Sequence, residues 1–228
     1  MARLTVSDRF GEIRYRLIMS VLFLVLASIV GYFFAPQLLS NMVENSLDEL
    51  IFLSPTEALF TRIRLALSIG FILSLPVILF HVWRFASRDL PRKKKFLTFF
   101  LIPASFGLFM AGSFLAYKLI LPVAINFMMG FATAYLEPLI SVSKYVAFAL
   151  AIILPLGLIF ELPLVILFLS YLKIISADSM VKNRKYVILM AFIVGALLTP
   201  PDAFTQIAMA IPIIILYEIS ILIARIFN

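Results

Sequence analysis

Leu150-Ala151-Ile152-Ile153-Leu154-Pro155-Leu156-Gly157-Leu158-Ile159-Phe160-Glu161-Leu162-Pro163-Leu164-Val165-Ile166-Leu167-Phe168-Leu169-Ser170-Tyr171-Leu172 is an apolar run with one acid at its middle. It exceeds the roughly 20 residues that cross a hydrocarbon core of about 30 Å. No Lys or Arg shares the run, so Glu161 has no local counter-charge. A charge at the bilayer centre costs about 3 kcal/mol even on lenient scales, which makes an intramembrane acid a functional-site candidate. Three readings are open for Glu161. It satisfies a helix contact as a protonated or hydrogen-bonded carboxyl, it marks a polar recess for a passenger or partner helix, or it is the proton site of a secondary transporter.

The surroundings of that run are of the same kind. The chain is 64% hydrophobic with a mean hydropathy of +1.12, whereas a soluble domain keeps roughly half its residues apolar. Apolar stretches at 17–35, 63–82, 96–121, 145–172, 186–198 and 204–224 predict six spans in a single membrane domain, 1–228. The fifth is short and must lean on its neighbours or sit in thinned bilayer. The net charge of +7 is distributed as topology. Arg3, Arg9, Arg14 and Arg16 precede the first span, Arg84 to Lys95 carries six cations between the second and third, Lys173 to Lys185 carries four between the fourth and fifth, and Arg225 follows the sixth. The alternate loops hold Glu44, Asp48, Glu49, Glu57, Glu137 and Asp202. Both termini are therefore predicted to be cytoplasmic, and the basic runs are orientation signals before they are nucleic-acid patches. The first apolar run is too long for a cleavable leader and lacks a small-residue cleavage site, so it is expected to stay as a span.

Residues 36–60 form the largest outer segment and alternate apolar pairs with polar residues, as an interfacial helix with a hairpin-like return would. Two loop signatures resemble each other: Ser54-Pro55-Thr56-Glu57 and Thr199-Pro200-Pro201-Asp202. Each reads as a hydroxyl N-cap, a proline at the first helical position and an acid at the third. Pro76, Pro163 and Pro212 lie inside spans and predict bends, because proline removes a backbone donor. Small residues four apart, at Gly107 and Ala111, Gly112 and Ala116, Ala147 and Ala151, and Ala191 and Gly195, are the spacing at which helices approach closely in lipid. Trp83 and the tyrosines at span ends, Tyr117 among them, read as interfacial anchors.

Catalytic motifs are missing: there is no phosphate loop, no Gly-x-Ser-x-Gly elbow and no His-Glu-x-x-His. With no cysteine and a single histidine, His81, the sequence predicts no metal site, no cofactor and no enzyme. Glu218 reads as a structural acid near the membrane surface, and Gln206, one turn into the last span, as an amide that bonds to a neighbouring helix. Before the first span, Arg9-Phe10-Gly11-Glu12-Ile13-Arg14-Tyr15-Arg16 places Glu12 and Arg16 at a favourable helical spacing. A carboxylate there is suited to accept a guanidinium from a basic peptide.

These residues resemble the TatC family, the multispanning receptor subunit of the twin-arginine protein translocase. The family's opening His-Leu-x-Glu-Leu-Arg-x-Arg is met by Arg9 to Arg16, its Phe-x-Ser-Pro-x-Glu by Phe52-Leu53-Ser54-Pro55-Thr56-Glu57, and its Phe-x-x-Tyr-x-x-x-Pro by Phe114, Tyr117 and Pro122 with a one-residue shift. The span-four acid is met by Phe160-Glu161-Leu162-Pro163, and the last signature by Thr199-Pro200-Pro201-Asp202, Gln206, Pro212 and Leu216-Tyr217-Glu218. The resemblance implies an all-α, glove-shaped bundle of six transmembrane helices in the inner membrane of a bacterium or archaeon. It implies an oligomeric complex with the single-span subunits TatA and TatB that exports folded proteins on the proton-motive force. Signal-peptide contacts carried over are Glu12, Arg14, Arg16 and the first cytoplasmic loop with Phe85, Asp89, Leu90 and Lys94. Lys94 stands where the family usually has a glutamate, and Asp89 is the nearby carboxylate. Glu161 would face a concave intramembrane surface, Thr199 and Gln206 would meet partner helices, and Pro55, Glu57, Tyr117, Pro200, Asp202 and Glu218 would serve structure.

Overall fold

The computed structural model describes residues 6–44, 50–87, 95–130, 139–198 and 203–227. Their order is α1 (Val6–Glu44), β1 (Leu50–Ile51), α2 (Pro55–Ala86), α3 (Lys95–Leu115), a π-helical turn (Ala116–Ile120), α4 (Leu121–Met129), β2 (Ile140–Ser141), α5 (Val142–Ile159), α6 (Leu162–Tyr171), α7 (Ala177–Lys182), α8 (Arg184–Leu198) and α9 (Ala203–Phe227). Among the described residues five stretches are long and apolar enough to cross a membrane: Gly11–Glu44, Pro55–Ala86, Phe99–Met129, Val142–Tyr171 and Ala203–Ile226. The fifth apolar run of the sequence forms α8, whose 15 residues fall short of the roughly 20 a straight crossing needs. The chain divides into two compact units, Met1–Phe106 with Leu139–Val146 and Gly107–Pro138 with Ala147–Asn228.

In the first unit α1 packs along α2. Apolar side chains gain little by leaving lipid for one another, so close backbone packing must hold such helices together. Two glycines provide it. A Cβ on Gly31 would lie 2.6 Å from the Ala66 carbonyl oxygen, and one on Gly70 would lie 2.6 Å from the Ser28 amide nitrogen. The buried hydroxyls of Ser28, Thr61, Ser68 and Ser74 each donate to a carbonyl three or four residues back, so none asks for a partner across the seam. α1 does not stop at Ala35, where the apolar run ends, but continues through Pro36 to Glu44. At 1.5 Å per residue its 39 residues reach about 58 Å. β1 then pairs in parallel with β2, Leu50 opposite Ile140 and Ile51 opposite Ser141, and does not fold back as a hairpin. Trp83 is a correction to the anchoring reading: it is buried, and its indole Nε1 donates to the buried Ser105 Oγ at 2.8 Å.

In the second unit α3 meets α5 through two glycines. A Cβ on Gly112 would lie 2.6 Å from the Phe160 ring, and one on Gly157 would lie 2.7 Å from the Phe109 ring. Gly107 faces open space, so its small-residue pair marks no close contact. The π-helical turn has a local cause. Pro122 cannot donate a backbone hydrogen bond and its ring crowds the preceding turn, and the widened turn lets Leu121 N–H reach back to the Ala116 carbonyl. Pro163 acts similarly on the fourth span, which is two helices, α5 and α6, separated at Phe160 and Glu161. α6, α7 and α9 share a core of Ile166, Met180, Tyr217 and Ile221, in which the Tyr217 hydroxyl donates to the Met180 carbonyl at 2.9 Å. α8 packs on α9 where Gly195 meets Gln206.

Candidate functional site

The cluster with most recognition chemistry lies where the start of α1 runs beside the end of α2. The helical period puts Glu12, Ile13, Arg16, Leu17 and Leu24 near one face of α1, and the i, i+4 spacing puts His81 and Phe85 together on α2. Arg16 ion-pairs with Glu12 through Nη2. Its other terminal nitrogen, Nη1, donates to the His81 carbonyl at 3.0 Å, and the guanidinium lies 5.7 Å from the Phe85 ring centroid. Arg16 thus spans the two helices at the rim of a groove of about 470 Å³ whose walls, including Leu17, Val21, Leu24, Ile78 and Val82, are almost wholly hydrocarbon. The arrangement joins a carboxylate and an aromatic face to an apolar trough. A guanidinium suits the first two, since carboxylates bind it through charge-assisted, paired hydrogen bonds and ring faces attract cations. An apolar segment suits the trough.

Of the residues singled out from the sequence, Glu12, Arg16 and Phe85 come together here. Arg14 does not: it is exposed, about 200° around the helix from Glu12 at 100° per residue. Asp89, Leu90 and Lys94 lie outside the described residues, as do Thr199, Pro200 and Asp202. Glu161 sits at the break between α5 and α6, where its carbonyl accepts from Leu164 and Val165 N–H, each at 3.0 Å. Both of its carboxylate oxygens are shielded from solvent. Gln206 bonds within the chain, its amide donating to the Phe192 carbonyl at 2.9 Å. Glu218 pairs with Arg184 at 2.6 Å with both side chains more than 40% exposed. Tyr117 lies in the π-helical turn with the Lys118 ammonium 5.6 Å from its ring centroid.

Pro55 and Glu57 belong to a second cluster at the far end of α2. Ser54 caps the helix, accepting from the Glu57 amide at 3.3 Å, and Pro55 takes the first helical position. The Glu57 carboxylate accepts from the Leu53 amide at 2.7 Å, from the Ser143 amide at 3.2 Å and from the Ser141 hydroxyl. Arg64 adds a bond to the Ser143 carbonyl at 3.3 Å. Glu57 therefore clamps the segment entering α2 to the segment entering α5. Ser141, Ser143 and Arg64 were not singled out in the sequence, and His81 was read there only as a lone histidine that forms no metal pair. No sequence signal connects Glu57 with a serine 84 residues away, but the i, i+4 spacing of His81 and Phe85 is one that sequence carries.

Long apolar helices, glycine seams and a rim of acid, arginine and aromatic over a hydrocarbon trough define a polytopic helical membrane protein. Residues 8–212 match the family model of the Sec-independent protein translocase protein, TatC. The Sec-independent protein translocase protein TatC of Carboxydothermus hydrogenoformans is 38% identical over 227 residues, covering 97% of this chain and 93% of that protein. Its counterpart in Aquifex aeolicus is 38% identical over 226 residues, covering 96% and 94%. A crystal structure of a twin arginine translocase receptor, TatC, superposes with a TM-score of 0.86 at 38% identity, covering 96% of this chain and 99% of that one. A second, in the detergent DDM, gives 0.84. The chain belongs to the TatC family.

Proposed function

We propose that this chain is the receptor component of a Sec-independent, twin-arginine translocase and takes signal peptides of folded cargo at the rim formed by Glu12, Arg16 and Phe85. The observation that carries the reading is the Arg16 bridge, which places the Glu12 carboxylate at the mouth of an apolar trough. An incoming arginine replaces Arg16 on Glu12, while Arg16 keeps its bond to the His81 carbonyl. One strong charge-assisted contact is thus exchanged for another, so little electrostatic energy is lost on docking. Asp89 and Leu90 in the following loop complete the contact, with Arg14 on the flank. Lys94 opposes an arginine pair, which makes Asp89 the loop's attractive group.

In this reading the whole chain serves one membrane domain of six spans, α8 being the short fifth, with both termini on the cytoplasmic side of the inner membrane. The cation asymmetry of the loops supports that orientation. TatA and TatB are the partners, within an oligomeric complex driven by the proton-motive force, and Glu161, Thr199 and Gln206 are the residues assigned to passenger or partner helices. The relatives named above are translocase proteins and none is a solute transporter, so the reading of Glu161 as a transporter's proton site is set aside. The test is complementation of a strain lacking this subunit, scored by export of a folded reporter with a twin-arginine signal. Export restored by the chain and lost with Glu12→Ala at unchanged membrane abundance supports the reading. Full export by Glu12→Ala removes the site assignment.

A further inference from the structure

The seam between α1 and α2 carries a second trough, beyond the signal-peptide rim and nearer the end of α2 that bears Pro55. It encloses about 400 Å³ between Leu24 and Phe33 of α1 and Ile63 and Leu67 of α2. Its one serine, Ser28, already donates to the Leu24 carbonyl at 2.7 Å, and the surface of the trough is almost wholly hydrocarbon. At its edge stands a cation. The Arg62 guanidinium lies 4.3 Å from the centroid of the Tyr32 ring, which lines the trough, and among the described residues it meets no carboxylate. Arg64, two residues on and about 200° around the helix, has its own bond to the Ser143 carbonyl. The proposed topology puts Arg62 at the outer face, where cations are sparse. α1 is the least buried of the long helices, with 17% of its apolar window buried within the chain against 39% in the others.

We propose that this trough is a binding site for an anionic phospholipid, one acyl chain lying along the α1–α2 seam and the headgroup phosphate resting on the Arg62 guanidinium. The hydrocarbon walls select a chain over a polar solute, and the stacked cation selects an acidic headgroup over a zwitterionic one. The purified full chain in detergent, offered phosphatidylglycerol, phosphatidylcholine or inorganic phosphate, tests this by native mass spectrometry and thermal unfolding. Phosphatidylglycerol should be retained about five-fold better than phosphatidylcholine, the discrimination one basic residue near a membrane surface supplies. Arg62→Gln should bring the two lipids level, Arg62→Lys should keep the preference, and Leu67→Trp should reduce retention of both. Equal retention of the two lipids by the unaltered protein would overturn the proposal. So would a preference that survives Arg62→Gln, or stabilisation by inorganic phosphate equal to that by phosphatidylglycerol. A partner helix as the true occupant would show as retention of neither lipid, which also overturns it.

Discussion

Replacing Gly70 by alanine should separate packing from helix propensity at the seam on which both troughs lie. The new methyl would sit 2.5 Å from Ser28 Cα and 2.6 Å from Ser28 N, where ordinary contact begins at 3.4 Å. Backbone cannot rotate away as a side chain can, so α1 must withdraw by about 1 Å or the helices must shear. Overpacking of that kind costs about 1–3 kcal/mol, and the gain from removing a helical glycine returns up to about 1 kcal/mol. With the full propensity gain the net is a loss of about 0–2 kcal/mol. Gly107→Ala in α3 is the matched control, since nothing lies within 4 Å of its added methyl and only the propensity gain of up to about 1 kcal/mol remains. The propensity gain is common to both variants, so they differ by the overpacking cost, about 1–3 kcal/mol. At 2–4 °C per kcal/mol for a chain of this size, that is a gap of about 2–12 °C in melting temperature in one detergent. The withdrawal of α1 would also pull Arg16 from the His81 carbonyl, so Gly70→Ala should weaken signal-peptide binding while Gly107→Ala leaves it unchanged. Equal melting temperatures for the two variants would refute the seam as described.

Three further perturbations follow from single contacts. Trp83→Phe leaves the buried Ser105 hydroxyl without its indole donor and should cost about 1–3 kcal/mol, read as a lower melting temperature. Melting within error of the unaltered protein would show that the bond contributes nothing. Glu57→Ala removes the acceptor for Leu53, Ser141 and Ser143, and amide exchange at Leu50–Ile51 and Ile140–Ser141 should accelerate while α2 beyond its first turn stays protected. Exchange unchanged at those strands would rule out the clamp. Glu218→Gln breaks an ion pair whose partners are both well exposed, and such pairs contribute at most about 1 kcal/mol. Its melting temperature should barely move, and a fall of many degrees would mean that the pair is far better shielded than its exposure indicates.

The helices were legible where a local rule acts alone. Ser54, Pro55 and Glu57 start α2 as their spacing predicts, and the basic, apolar and acidic alternation yields the long spans. Prolines were legible only as possible breaks. Pro36 passes inside α1, Pro163 helps split the fourth span beside Glu161, and Pro122 is met by a π-helical turn; what each helix packs against decides among these outcomes. The small-residue spacing holds at Gly112 and Gly195 but also at Gly107, which touches nothing; Gly31 and Gly70 carry it too, with Ala27 and Ala66, though they were not singled out, and Gly157 lacks it altogether. A glycine matters for packing only when another backbone or ring lies opposite it, and that is a property of the partner. Trp83 was misplaced for a related reason: amphipathic rings favour membrane interfaces, but a buried hydroxyl such as Ser105 offers the indole N–H an equal partner. At the candidate site Glu12 and Arg16 were readable as neighbours on one helix, whereas His81 joins them from a residue 65 positions away.

The most direct measurement of receptor function places a photoreactive group at Ile13, beside Glu12 on the groove face, and exposes membranes to a signal peptide carrying an arginine pair. The peptide should crosslink there, should lose the crosslink when its arginines are replaced by glutamines or when Glu12 becomes alanine, and should keep it in Arg14→Ala. A crosslink of equal yield with the glutamine peptide and with Glu12→Ala would contradict recognition of the arginine pair at this rim.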